Sequence, residues 1–211
     1  MKPWIEPLVE TIARIESLAA RIAPARIDFL SGAATRIAAK RDVGSTLGLN
    51  FICTHNSRRS HLSQIWATVA AQAHQLDWLR MMSGGTEATA CNPRVVASLR
   101  RAGFSVVNPS PTDSNPRYLL QYSDDTAPIE LFSKTFDDPY NGQSSFVAMM
   151  CCDHADDNCP VIHGSVGRVS LHYRDPKESD DTPVEASTYD DRRDEIGAEM
   201  FALMRLIAEK G

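Results

Sequence analysis

A chain of 211 residues with 43% hydrophobic and 23% charged residues can build a real core, and is long for one small domain but short for two. Its formal net charge of −5, with no basic run longer than a pair such as Arg100-Arg101, argues against a nucleic-acid or anionic-membrane surface. No apolar stretch approaches the ~18 residues of a membrane span, and Glu6, Glu10, Arg14 and Glu16 break any signal-peptide core, so a cytoplasmic location is expected.

Residues 4–22 place Ile5, Leu8, Val9, Ile12, Ile15, Leu18 and Ile22 at the three-and-four spacing of an amphipathic helix. After Pro24 a second helical stretch runs from about Ile27 to Ala39. The two predict a helical hairpin over residues 1–46, closed by the linker-like RDVGST. Its apolar stripe is too continuous to face water, which leaves a cover for the sheet or a homodimer contact as equal readings. From Leu47 the pattern becomes strand–helix alternation. LGLNFIC reads as a buried strand, SHLSQIWATVAAQA as a helix, LRMMS as a strand and PRVVASLRRAG as a helix stopped at Gly103. SFVAMMC and GRVSLHY read as a third and a fourth strand, and Tyr189 to Lys210 as a closing helix. The expected fold is α/β: a four-stranded parallel sheet with helices on both faces over residues 47–211. Between about 108 and 145 the alternation breaks, and RYLLQYS-DDTAP-IELFSKTF reads as an inserted β-hairpin.

The chemistry concentrates in CTHNSRRS, residues 53–60, between the first strand and the helix after it. In an open parallel sheet, ligands bind at the carboxyl ends of strands. A loop there, from Thr54, His55, Asn56 and Ser57 to Arg58 and Arg59, turns backbone N–H groups and the positive end of a helix toward one point, which suits an anion. A cysteine at that focus is placed to act as a thiolate nucleophile. Arg59 offers a planar fork to two oxygens of an oxyanion, and Ser60 can donate to the thiolate.

The spacing Cys-x5-Arg-Ser, set after an apolar strand and before an amphipathic helix, resembles the anion loop of low-molecular-weight protein tyrosine phosphatases. It is closer still to that of the thiol-coupled arsenate reductases sharing their fold. The resemblance extends from about Leu47 to Lys210 and takes in SGGTEATACNPRVVASLRRAGF and YRDPKE. It implies that Asp175, in the Asp-Pro element, is the general acid of a phosphatase reaction. It also implies a relay in which Cys53 attacks arsenic, a second thiol attacks Cys53 to release arsenite, and a third passes the disulfide to an external reductant such as thioredoxin. In MMCCDHADDNCP, Cys152 and Cys159 have the family's C-x6-C spacing. Counting from the strand makes Cys151 the alternative relay thiol. No bound cofactor or metal is expected; a zinc knuckle from Cys151, Cys152, His154 and Cys159 is disfavoured because adjacent cysteines chelate poorly.

The chain departs from the reductases at Arg58, where they often carry Cys, and at His55, where they carry Gly. Gln64 stands where some have a potassium-binding Glu beside the Asn matched by Asn56, which argues against potassium. No aromatic residue follows the Asp-Pro until Tyr189, which favours a small oxyanion over phosphotyrosine, although Tyr118, Tyr122 and Phe132 of the insert could wall a pocket. Three readings result: an arsenate reductase using Cys53, Cys152 and Cys159; a phosphatase using Cys53, Arg59, Ser60 and Asp175; and, third, an oxyanion-binding or redox-sensing module.

Overall fold

The computed structural model describes residues 4–142, 145–158 and 161–210. Two helices come first, α1 (Glu6–Ala19) and α2 (Pro24–Ala38), each with a proline in its first turn, where the missing N–H costs nothing. Pro24 therefore starts the second helix rather than merely separating two. Leu8, Ile12 and Ile15 of α1 and Leu30, Ala33, Ala34 and Ile37 of α2 are buried.

The main sheet contains β1 (Leu47–Cys53), β2 (Leu79–Gly85), β6 (Phe146–Met150) and β7 (Ser165–Ser170), all parallel, in the order β2-β1-β6-β7. Every residue of β1 and β6 is buried, as continuous apolar strands in the middle of a covered parallel sheet should be. The fourth strand lies upstream of the expected GRVSLHY: Leu171 and His172 bond to Met150 O outside the ladder. Helix α3 (Arg59–Ala73) follows β1 and packs on β1, β2 and the closing helix α6 (Glu185–Ala208); α4 (Pro93–Arg101) follows β2. Helices α1 and α2 both pack on α6 in the same chain. The short helix α5 (Asp153–Asn158) contacts β1 and β6.

The insert carries the expected hairpin, β4 (Tyr118–Gln121) with β5 (Ile129–Leu131), and β4 also pairs with an antiparallel strand just before the insert that the sequence reading missed, β3 (Ser105–Val107). It returns along the carboxyl end of β2, where Gly85 N–H donates to Lys134 O (2.8 Å) and Phe136 N–H to Gly85 O (2.9 Å). Gly85 must be glycine: a Cβ there would meet Asn56 N and Thr54 O at 2.7 Å.

Candidate active site

The strand order explains where the site lies. Chain connections leave β1 toward β2 on one side, and β6 pairs on the other, so the crevice at their carboxyl ends is the topological switch point. Register pairs Ile52 with Met150, and Cys151 N–H donates to Ile52 O at 2.7 Å. The end of β1, carrying Cys53, thus lies beside the paired cysteines that follow β6. Residues separated by nearly a hundred positions are brought together by sheet pairing alone.

Cys53 is buried, and its Sγ lies 3.1 Å from Ser60 Oγ, at the start of α3. Asn56 Nδ2 donates to that same Ser60 oxygen at 2.9 Å, so the hydroxyl proton of Ser60 is left for sulfur. Asn56 adopts φ 44°, a left-handed conformation that asparagine tolerates better than most residues. Its Oδ1 accepts from Lys134 N–H (3.0 Å). Ser133 Oγ donates to His55 O (2.7 Å) while accepting from Thr89 N–H, and Ser57 Oγ donates to Ala90 O (2.7 Å). The loop is therefore braced from outside by the insert and by residues 89–92. Sequence reasoning missed Ser133 and Lys134, because a polar pair after a hairpin gives no sign that it will reach back across 78 positions.

Arg59 donates to Tyr173 O (2.9 Å) and to Asp175 Oδ2 (2.6 Å), bringing the two ends of the expected site together. The other Asp175 oxygen caps the following turn by accepting from Lys177 N–H (3.0 Å). Arg58, grouped with the oxyanion-binding positions by its place in the loop, has its side chain engaged elsewhere: Nε donates to Tyr189 OH (2.8 Å) and Nη2 to Asp180 (3.1 Å), with Asp175 at 4.0 Å. Burial and the neighbouring Asp180 carboxylate push the Tyr189 hydroxyl up to about 12, with Arg58 opposing. The His55 ring is half-exposed, 3.7 Å from Glu87. Gln64 is buried on α3 and donates weakly to Met81 O (3.5 Å). Tyr118, Tyr122 and Phe132 are buried in the insert, with the Tyr122 ring tilted against Trp4 (6.1 Å between centroids).

The two adjacent cysteines differ in surroundings. Both are buried; Cys151 donates toward Ser63 Oγ (3.6 Å) and Met149 O (3.5 Å). Burial first, and then the charge of Cys53, push its thiol far above the ordinary range. The Cys152 thiol lies 3.7 Å from Thr54 Oγ1, the residue after Cys53, and that hydroxyl also reaches His154 Nδ1 (3.3 Å). Cys159 lies outside the described residues. Cys91 is buried and its thiol is pushed up to about 12 by that burial.

A buried cysteine with a serine donor, a guanidinium and a carboxylate, on a loop between a central parallel strand and its helix, defines a protein of the low-molecular-weight phosphatase fold. Solved structures agree. A mutant of YwlE from Bacillus subtilis matches with TM-score 0.52 at 13% identity, over 76% of this chain and 97% of that one. A low-molecular-weight phosphotyrosine phosphatase from Vibrio cholerae O395 matches with TM-score 0.50 at 16% identity, over 78% and 99%. No family model matches the chain. Among curated sequences it is 29% identical over 148 residues to the arsenate reductase of Bacillus licheniformis, covering 70% of this chain and 87% of that protein. It is 27% identical over 126 residues to arsenate reductase 2 of Staphylococcus haemolyticus, covering 60% and 76%. The resemblance read from the anion loop is borne out: the sequence relatives are named arsenate reductases, and the fold matches that of a solved low-molecular-weight phosphotyrosine phosphatase.

Proposed function

We propose that the protein reduces arsenate to arsenite through Cys53, Cys152 and Cys159. The observation that carries this reading is the second thiol: Cys152 contacts Thr54 beside the nucleophile, a placement that phosphate-ester hydrolysis does not require. The Cys53 thiolate, held by Ser60, attacks arsenic(V) and displaces water, forming an S–As bond. Arg59 exchanges Asp175 for two oxyanion oxygens, and the loop N–H groups of residues 54–59 take the others. The Cys152 sulfur then attacks Cys53. The S–As electron pair goes to arsenic, which leaves as arsenite, and the two thiols supply both electrons by forming a disulfide. Cys159 attacks Cys152, freeing Cys53, and the resulting Cys152–Cys159 disulfide is reduced by an external dithiol of the thioredoxin kind. Both adjacent cysteines are buried, and Cys152 is the relay thiol in this reading because its sulfur lies 3.7 Å from Thr54 Oγ1, next to Cys53, whereas Cys151 is directed toward Ser63 and Met149. The placement of Asp175 at the site, 2.6 Å from Arg59, fits a second reading, a phosphatase in which Asp175, once substrate takes Arg59 from it, protonates the leaving oxygen. Arsenite formation measured with thioredoxin, its reductase and NADPH, beside aryl-phosphate hydrolysis by the same sample, separates the two. Efficient hydrolysis without arsenite production would overturn the reductase reading. In both, Cys53→Ser should be inactive, since a hydroxyl does not ionise there near neutral pH.

A further inference from the structure

Lys134 is one of the largest side chains fully buried in the molecule, and among the described residues its Nζ has no hydrogen-bond partner. A lysine buried without a partner costs stability, so its retention points to a use for the charge. Its surroundings locate that charge. The ammonium lies over the rings of Phe132 (4.6 Å to the centroid) and Tyr140 (5.4 Å), which favour a cation on their faces. It acts electrostatically on His61, the residue after Ser60 on α3, and on Cys91, beside the residues that brace Ser57. The Lys134 backbone also begins an unbroken chain to the nucleophile: Lys134 N–H to Asn56 Oδ1 (3.0 Å), Asn56 Nδ2 to Ser60 Oγ (2.9 Å), and Ser60 Oγ to Cys53 Sγ (3.1 Å).

We propose that Lys134 is a positioning residue of the oxyanion site: its buried ammonium is a fixed positive charge that favours binding of an anionic substrate, while its backbone N–H independently begins the Asn56–Ser60–Cys53 chain. The inference rests on the oxyanion reading given above. The charge is present at neutral pH and lost in mild alkali, because burial pushes the amine down to about 8. The other groups that bear on it are Asp138, Glu130 and Cys91, which favour the cation, and Arg117, which opposes it. His61 is held neutral, pushed down to about 3 by burial and by Lys134 itself, so it adds no second charge.

The test is the affinity of inorganic arsenate and phosphate for the full chain and for Lys134→Met, which keeps the length of the side chain and removes the charge. Calorimetry is run from about pH 6.5 to about pH 9.5, and circular dichroism establishes that the variant is folded. Near neutral pH the variant should bind either oxyanion about tenfold more weakly, a difference of about 1.4 kcal/mol. The ratio of the two affinities should fall toward unity as pH rises through about 8, which a purely structural role would not produce. In turnover, KM should rise more than kcat falls. Equal affinities at neutral pH, or a ratio that does not change with pH, would overturn the role of Lys134 while leaving the oxyanion reading intact. Failure of the unsubstituted chain to bind any oxyanion would overturn both.

Discussion

The charge on Lys134 should be expensive, and replacing it should make the protein more stable. Burial, partly countered by Asp138, lowers the amine from 10.5 to about 8, which at about 1.4 kcal/mol per pKa unit means a charging penalty of about 3 kcal/mol. The faces of Phe132 and Tyr140 return about 0.5–1 kcal/mol between them, so removing the charge should gain about 2 kcal/mol near pH 7. For a chain of this size that raises the melting temperature by about 4–8 °C. The sign with pH follows from linkage. The folded-state value is depressed, so the penalty is complete below about 8, fades as the pH rises, and is gone above 10.5, where the unfolded chain too has lost its proton. Thermal unfolding of wild type and Lys134→Met across that range should therefore show the variant more stable at neutral pH and the two curves converging in alkali. A variant less stable at neutral pH, or an advantage independent of pH, would refute the reasoning. Gained stability with weakened oxyanion binding would mark Lys134 as a site where function is maintained against stability.

Three further outcomes are expected. Arg59→Lys should lose at least about a hundredfold in kcat/KM for arsenate, because an ammonium cannot bridge two oxygens as the fork does; turnover within tenfold of wild type would contradict its role. Cys152→Ser should form no disulfide to Cys53, Cys151→Ser should turn over near the wild-type rate, and Cys159→Ser should trap a Cys53–Cys152 disulfide after one turnover; peptide mapping distinguishes these, and the opposite pattern for positions 151 and 152 would move the relay by one residue. A chain starting at Asp42 should aggregate or lose its cooperative melt, since Leu8, Ile12, Ile15, Leu30 and Ile37 are all at most 2% exposed and each fully buried aliphatic side chain contributes about 1.5–3 kcal/mol. An unchanged melting temperature and mass would show the helices to be dispensable.

The main sheet was legible because its strands are short, continuous and apolar and are separated by helices with clear periodicity. Cys53, Arg59 and Ser60 were legible because one loop carries them. Pairing was legible only in part. Sequence order cannot say that β6 lies against β1, yet that neighbour relation is what sets Cys152 beside Thr54. The β3 strand escaped because three residues with alternating exposure carry too little pattern to register as a strand. Helix α5 escaped because DHADDN buries only Ala155, so no apolar face announced it. The destination of the Arg58 side chain escaped as well, since Tyr189 and Asp180 are more than a hundred positions away and are brought to it by packing of α6 and the turn before it.

The proposed relay asks something of α5 that a phosphatase never needs. A disulfide requires Cα atoms about 4.4–6.8 Å apart, whereas an α-helix rises about 1.5 Å per residue and so separates positions 153 and 158 by about 7.5 Å along its axis. A Cys152–Cys159 disulfide of the proposed relay would therefore be eased by unwinding of α5. Its composition makes that inexpensive: six residues are below the length at which a helix persists by itself, and four of them are acidic or histidine. What holds it is chiefly Asp156, which receives Arg168 Nε at 2.5 Å and pairs with His172 Nε2 at 2.6 Å. Burial alone would raise the Asp156 value, but bonds from Ser170, Arg168 and His172 outweigh it and keep the carboxylate below its ordinary range. Besides buried Ala155 and the Thr54–His154 contact, α5 is thus held by a charged anchor to Arg168 of β7 and to His172 just beyond it. In the proposed relay, forming the second disulfide would trade that anchor for a covalent bond, and reduction would let α5 refold against β1 and β6.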